Sequence, residues 1–135
     1  MLKTGVLVTL LCSAFTGPAS ATAGCGREKD HVDYRECLER KASQSRVELE
    51  QALALLGKRI DSWDEEFVYR RRAHAHLQQS FELFQRFRES HCQFEASLAA
   101  GGNAAGDMRL HCEAELNNQY ATSLRSRMTH VAAPG

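Results

Sequence analysis

An uninterrupted helical pattern from Trp63 to Ala100 constrains the fold of this chain more than any other feature. No Pro or Gly occurs in that stretch, and apolar residues recur at steps near three and four, the spacing of one helix face. The pattern predicts a long amphipathic helix whose stripe faces a core, with an aromatic binding surface as the alternative. The stripe consists of Leu77, Phe81, Phe84, Phe87, Phe94 and Leu98.

Local signals predict where this helix begins and what flanks it. Ser62-Trp63-Asp64-Glu65 has the S-x-x-E spacing of a capping box, in which the two side chains bind free backbone N–H groups of a first turn. A similar stripe precedes it, with Gly57 available to end or loosen the first helix. Another stripe follows the Gly101-Gly102-Asn103 loop. The first stripe is Leu38, Ala42, Ser45, Leu49, Leu53, Leu56 and Ile60, and the third is Met108, Cys112, Leu116, Tyr120 and Leu124.

These patterns predict an all-α fold, an antiparallel arrangement of three helices that includes a disulfide-stapled helical hairpin. Strands are disfavoured, because few β-branched residues occur and no alternating run is long enough.

The N-terminus, MLKTGVLVTLLCSAFTGPASATAGCG, has the order of a secretory signal peptide: one Lys, an apolar run, a Gly-Pro break and small residues ending at Ala23. The apolar run is about eleven residues, short of the roughly 20 that span a bilayer, and no later stretch approaches that length, so we expect no transmembrane segment. We predict a signal peptide over residues 1–23 and one exported helical domain over residues 24–135, periplasmic or secreted. Thr22-Ala23-Gly24-Cys25 also resembles a lipobox, so a lipid anchor at Cys25 is the alternative.

Charge does not identify a partner. The chain has 17 basic and 17 acidic residues, and removal of the signal takes only Lys3. Because the strong basic bias of nucleic-acid binders is missing, we expect no nucleic-acid partner. The run YRRRAHAH, residues 69–76, is interpreted as a solvated helix face, with a phosphate or lipopolysaccharide patch as the alternative.

The spacing of two cysteines predicts a cross-link between helices. If the second helix ends near Ala100 and the third begins near Ala104, Cys92 and Cys112 each lie about 12 Å along an arm, at 1.5 Å per residue. In an antiparallel hairpin they are then at the same height, which suits a disulfide. We predict a Cys92–Cys112 bond.

The remaining cysteines are paired by elimination. Five occur, and Cys12 is lost with the signal. The other four allow three connectivities by count alone, and an oxidising compartment favours disulfides. With Cys92 and Cys112 paired, Cys25 bonds to Cys37 and ties the polar N-terminal segment to the first helix.

A zinc site is the alternative use of the two His-Cys pairs. Zinc takes four N or S ligands, and the candidates are His91, Cys92, His111 and Cys112. Neighbouring helical residues point about 100° apart, so both members of a pair do not easily face one ion. We therefore expect no metal site, and a metal-handling protein built on the six histidines is disfavoured.

Motifs for catalysis are missing from the sequence. It has no G-x-S-x-G elbow, P-loop, H-E-x-x-H or C-x-x-C. Carboxylates such as Asp64-Glu65-Glu66 suit the first turn of a helix, where they interact with its dipole. We predict a protein that is not an enzyme and has no cofactor.

The second half of the chain resembles a known family. FQRFRESHC (residues 84–92), Phe94-Glu95, Gly101-Gly102, Cys112 and Leu116 are similar to the LprI-type lysozyme inhibitor family, whose pattern is W-x-x-[YF]-R-x-x-x-C, F-E, a G-G loop and a second Cys before a short helix. The early cysteines and Glu48-Leu49 resemble its first half. Departures are Phe84 in place of the usual Trp, and Asn117 and Tyr120 where Thr and Arg are often found.

The resemblance implies a secreted, periplasmic or envelope-anchored protein that binds a lysozyme and blocks its cleft without chemistry of its own. The alternative is a helical envelope module with another protein or surface partner and no lysozyme inhibition. Arg88 of the family pattern is a candidate binding residue, although pairing with a nearby carboxylate is its structural interpretation.

The loop between the two hairpin cysteines is the other candidate contact. Gly101 and Gly102 permit the dihedrals of a turn, and Asn103 or Asp107 is expected to cap the third helix. A purely structural loop accounts for these residues. The alternative is that Gly101, Gly102 and Asn103 form a narrow tip that enters a partner's cleft, because the nearby disulfide limits the ordering cost of docking.

Overall fold

The computed structural model describes residues 24–26 and 28–131. These residues form three helices and no strand: α1 (His31–Asp61), α2 (Phe67–Ser97) and α3 (Gly102–Arg127). The predicted all-α fold is thereby confirmed. None of the helices in this part of the chain has both the length and the apolarity needed to cross a membrane. The predicted signal peptide, residues 1–23, lies outside the described residues.

Helices α1 and α3 run parallel and enclose the core. The amide of Asn117 donates to the hydroxyl of Ser45 at 3.1 Å, and farther along both helices Arg59 donates to the carbonyl of Val131 at 3.0 Å. From the first contact to the second, the residue number increases along both chain segments, so α1 and α3 are parallel. The buried apolar cluster between them is Leu49, Ala52, Leu56, Ile60, Ala121 and Leu124.

The first helix follows its predicted stripe with one change. Ala52 is fully buried, whereas Leu53 is only partly buried beside the core. The expectation that Gly57 ends or loosens α1 is wrong, because burial of Leu56 and Ile60 on either side continues the helix to Asp61. The start of α1 is capped by the side chain of Asp30, which accepts hydrogen bonds from two backbone N–H groups.

The capping box predicted at Ser62 is wrong. Ser62 follows the last residue of α1, where its backbone N–H donates to Lys58 and its hydroxyl donates to the carbonyl of Arg59 at 3.1 Å. Helix α2 begins five residues later, after Glu66, which makes no side-chain capping bond. The S-x-x-E spacing thus occurs at a helix end, because α1 extends beyond Gly57.

Helix α2 runs antiparallel to α3. The hydroxyls of Ser80 and Tyr120 are 2.9 Å apart, and Cys92 is bonded to Cys112. From the first contact to the second, the residue number increases along α2 and decreases along α3. With α1 and α3 parallel, the order is up, down and up, as predicted. Only Cys92 and Ala96 of α2 are buried, so this helix lies at the edge of the α1–α3 pair.

The predicted stripe of α2 divides into two. Its first members, Leu77, Phe81 and Phe84, are partly buried against the core. The prediction is wrong for the rest, which are 54%, 55% and 61% exposed. The buried series continues through Cys92 and Ala96 instead, and this turns the later apolar residues away from the core. The exposed residues, called the outer stripe below, are Phe87, Phe94 and Leu98.

The third helix buries a broader face than its predicted stripe. Cys112 and Leu124 are buried as expected, whereas Met108, Leu116 and Tyr120 are half-buried. The ring of Tyr120 stacks on Phe84 of α2 with centroids 4.2 Å apart, so the predicted stripe partly follows the α2 side. The positions missed are Asp107, Ala114, Asn117 and Ala121.

Candidate functional site

Both predicted disulfides are present in the structure. Cys92 and Cys112 join α2 to α3 with their Cα atoms 5.5 Å apart. Cys25 and Cys37 tie the segment before α1 to the second turn of that helix, with a Cα separation of 5.9 Å. The hairpin of α2 and α3 is therefore closed near one end of the molecule.

The two arms of the hairpin are less regular than predicted. Helix α2 ends at Ser97, five residues beyond Cys92, whereas α3 begins at Gly102, ten residues before Cys112. The difference is partly compensated because residues 98–100 continue to wind beyond α2. Their backbone N–H groups donate to carbonyls three residues earlier, as in a 3₁₀ turn. The cysteines therefore meet although the helix boundaries are shifted.

The zinc alternative for the two His-Cys pairs is excluded by the disulfide, because metals bind the thiolate and both sulfurs are bonded. The same applies at the N-terminus, where the ligand atoms of Cys25, Glu28 and Cys37 lie within 4.8 Å of one another. There too, both sulfurs form a disulfide.

The connection between α2 and α3 forms a narrow, exposed tip. Three successive residues have positive φ: Ala100 (55°), Gly101 (106°) and Gly102 (74°). The two glycines suit this left-handed backbone, which other residues rarely adopt. A Cβ at either glycine would meet no atom within 4 Å. The backbone conformation, rather than crowding, therefore explains the glycines, and the tip is accessible from outside.

The expected capping of α3 by Asn103 or Asp107 is wrong. Both residues lie inside α3, which follows Gly101 with no side-chain capping bond. Asn103 is exposed in the first turn, beside the glycines of the tip. The helix begins earlier than predicted, so these two residues are free for other contacts.

Asp107 instead joins α3 to the start of α1. Its carboxylate is 2.8 Å from Nε2 of His31 and accepts a hydrogen bond from Arg35 at 3.0 Å. Burial alone would raise the pKa of Asp107, but the hydrogen bonds from His31 and Arg35 outweigh it and lower this pKa below its ordinary value. This end of the molecule is therefore held by an ion pair behind the tip.

Arg88 has a structural partner, although it is not the carboxylate that was expected. Its guanidinium donates to the side-chain carbonyl of Asn117 at 2.6 Å and lies over the ring of Phe84, 5.7 Å from its centroid. Asn117 in turn donates to Ser45. Ser45, Arg88 and Asn117, called the polar node below, connect all three helices.

The outer stripe leads along α2 to the tip. Phe87, Phe94 and Leu98 follow one another at steps of seven and four, with His91 between the two phenylalanines, so they share a helix face. The ring of His91 stacks on Phe87 with centroids 5.2 Å apart. Sequence reasoning missed this second face. After Phe84, the residues that face the core are Arg88 and Cys92, at steps of four, and not Phe87. This spacing in the sequence could have revealed the second face.

In a comparison with known protein families, residues 22–124 match the family model described as lysozyme inhibitor LprI. The chain belongs to the LprI family. No curated protein and no solved structure matches it.

The LprI match covers the parts of the molecule that shape the hairpin. It includes both disulfides, the polar node and the tip, and it ends within the last turn of α3. Family membership and the three-helix structure therefore describe the same unit. Because this is a family of inhibitors, membership agrees with a protein that acts by binding rather than by catalysis.

Proposed function

We propose that this protein binds a lysozyme and blocks its cleft without catalysing a reaction. The observation that carries the proposal is membership of the LprI lysozyme inhibitor family across most of the chain. A rigid helical hairpin supports it, because pre-organised binding surfaces lose little conformational freedom on docking.

We propose the tip and the outer stripe as the contact surface. The tip supplies Gly101, Gly102 and Asn103, and Leu98 is continuous with it. Exposed phenylalanine and leucine side chains supply apolar area, which commonly forms the centre of a protein interface. Arg88 is not assigned to this surface, because its guanidinium is occupied by Asn117.

The proposed site of action is the periplasm or the exterior of the cell. Two disulfides support an oxidising compartment, in agreement with the predicted signal peptide. Participation of Cys25 in a disulfide favours simple cleavage over a lipid anchor, because an acylated sulfur has no bond left for Cys37. The intact mass of the exported protein distinguishes the two processing routes.

A lysis assay tests the proposed activity. Purified protein with both disulfides formed is added to chicken-type, goose-type and invertebrate-type lysozymes acting on bacterial cell walls. We expect dose-dependent loss of lysis with at least one type, and a complex with the same enzyme by calorimetry. Unchanged lysis by all three enzymes, with no heat of binding, would contradict the proposal and favour an envelope module with another partner.

A further inference from the structure

The five-residue pattern H-C-x-x-E occurs twice, at His91–Glu95 on α2 and at His111–Glu115 on α3. The disulfide uses the cysteine of each copy. The histidine and glutamate of both copies remain, and all four side chains line one open groove of about 350 Å³ between the two helices. The contact surface proposed above assigns no role to these four side chains.

The disulfide explains why the two copies face the same groove. Residues four apart lie on one face of a helix, so His91 and Glu95 point to the same side, as do His111 and Glu115. Because α2 and α3 are antiparallel and are bonded at the cysteine of each copy, the copies are related by an approximate two-fold axis through the disulfide. The side chains of both copies thereby line the same groove.

The distances within each copy are close to those of a metal site. Nε2 of His91 is 3.8 Å from Oε1 of Glu95, and Nε2 of His111 is 3.8 Å from Oε2 of Glu115. Two ligands of a tetrahedral zinc ion, each about 2.0–2.2 Å from it, are separated by roughly 3.3–3.5 Å. A histidine and a glutamate of one copy can thus share an ion after a small side-chain movement.

We propose that His91, Glu95, His111 and Glu115 bind one divalent transition-metal ion of the zinc class. Two imidazole nitrogens and two carboxylate oxygens form a ligand set that suits Zn²⁺, and the carboxylates balance its charge. Among the described residues, no three of these four ligand atoms lie within 4.8 Å of one another, so binding has to draw the two pairs together across the groove. All four side chains are partly exposed.

This site differs from a zinc site made of the two His-Cys pairs. Adjacent histidine and cysteine side chains on a helix point in different directions. The new site leaves the cysteines in their disulfide and uses residues four apart, which point the same way. The disulfide is a condition for the site, because it holds the two copies at the same height.

Titration calorimetry with Zn²⁺ tests the proposal on the disulfide-bonded protein, without a lysozyme. We expect one ion per chain. His91→Ala and His111→Ala should each weaken binding by at least about tenfold, equivalent to 1.4 kcal/mol, because each removes a ligand from the same ion. His76→Ala is the matched control, since His76 is an exposed histidine of α2 outside the groove, and it should leave the affinity unchanged.

Thermal unfolding gives a second measurement. Zn²⁺ at about 100 times its dissociation constant should raise the Tm by roughly 5 °C or more, because it binds the folded state. This shift should be lost in the His91→Ala, His111→Ala double variant, whose Tm without metal also shows that it folds. No binding of Zn²⁺, two equivalent ions per chain, or equal affinity in the single variants and the control would each overturn the shared site.

Discussion

Helices α1 and α2 have the same length of 31 residues, but they contribute very differently to the fold. Helix α1 buries seven residues, from Leu38 to Ile60, and packs along most of α3. Helix α2 buries only Cys92 and Ala96. Helices α1 and α3 therefore form the scaffold. Helix α2 lies at its edge, where Leu77, Phe81 and Phe84 pack against the core and a disulfide and the polar node hold it. Its remaining surface is available to a partner.

The largest expected loss of stability comes from truncating a core leucine of α1, compared with an exposed leucine of α2. Leu49 is 1% exposed within the core, so Leu49→Ala should lower the free energy of unfolding by about 3–4 kcal/mol through lost burial and a cavity. Leu83 on α2 is 57% exposed, and Leu83→Ala is the matched control, with an expected loss below about 0.5 kcal/mol. Urea denaturation measures both, and similar losses would show that α2 belongs to the core.

Loss of the hairpin disulfide should release α2 selectively. The Cys92→Ala, Cys112→Ala double variant should lose about 3 kcal/mol of stability, the amount expected for a loop of some twenty residues. Hydrogen exchange should accelerate more in α2 than in α1 or α3. The Cys25→Ala, Cys37→Ala variant controls for the removal of any disulfide, and its effect should be confined to the start of α1. Uniform acceleration in the first variant would argue against a peripheral α2.

Loss of the polar node should have a smaller effect. Arg88→Ala leaves the buried side-chain carbonyl of Asn117 without its donor, which should cost about 2 kcal/mol. Arg86→Ala replaces an exposed arginine on the same helix and should cost less than about 0.5 kcal/mol. Denaturation curves compare the two variants, and equal costs would mean that the node does not hold α2.

The smallest expected effect depends on pH. The lowered pKa of Asp107 means that its carboxylate stabilises the fold at pH values above its unfolded-state pKa, and this contribution is lost as the pH falls through the folded-state value. Asp107→Asn should therefore cost about 1 kcal/mol near pH 7, and the difference from the unmodified protein should shrink below about pH 4.

Asp64→Asn, in the exposed turn before α2, is the control for the removal of one carboxylate and should cost less than about 0.5 kcal/mol near pH 7. A difference between Asp107→Asn and the unmodified protein that is constant from pH 7 to pH 3 would contradict the assigned ion pair.

The sequence was sufficient for the helices and their order because burial repeats with the helical period. Leu49, Leu56 and Ile60 are buried where the period predicted. The Cys92–Cys112 bond was also predictable, since it required only an approximate turn position. Helix boundaries were not, because Ser62 and Glu65 fit a helix start locally while burial of Ile60 continues α1 up to them.

The candidate site was harder to predict from the sequence than the fold. The glycines of the tip were recognisable because their backbone requirement is local. The exposed face of Phe87 and Phe94 was not, because a helical stripe does not state which of its members touch another helix. The partner of Arg88 depended on the α3 residue that lies opposite, and Asn117 was not a member of the predicted stripe.

If α1 and α3 form the scaffold while the tip end of α2 binds lysozyme, a substitution beside the tip should weaken lysozyme binding and one on α1 should not. Calorimetric titration of the most strongly inhibited lysozyme with two leucine variants tests this expectation directly. Leu98 beside the tip and Leu55 on α1 are 61% and 50% exposed, so Leu98→Glu and Leu55→Glu are matched in chemistry and differ in location. We expect Leu98→Glu to weaken binding by at least about tenfold and Leu55→Glu to leave it unchanged. Equal affinity of the two variants, with both folded by circular dichroism, would contradict this expectation.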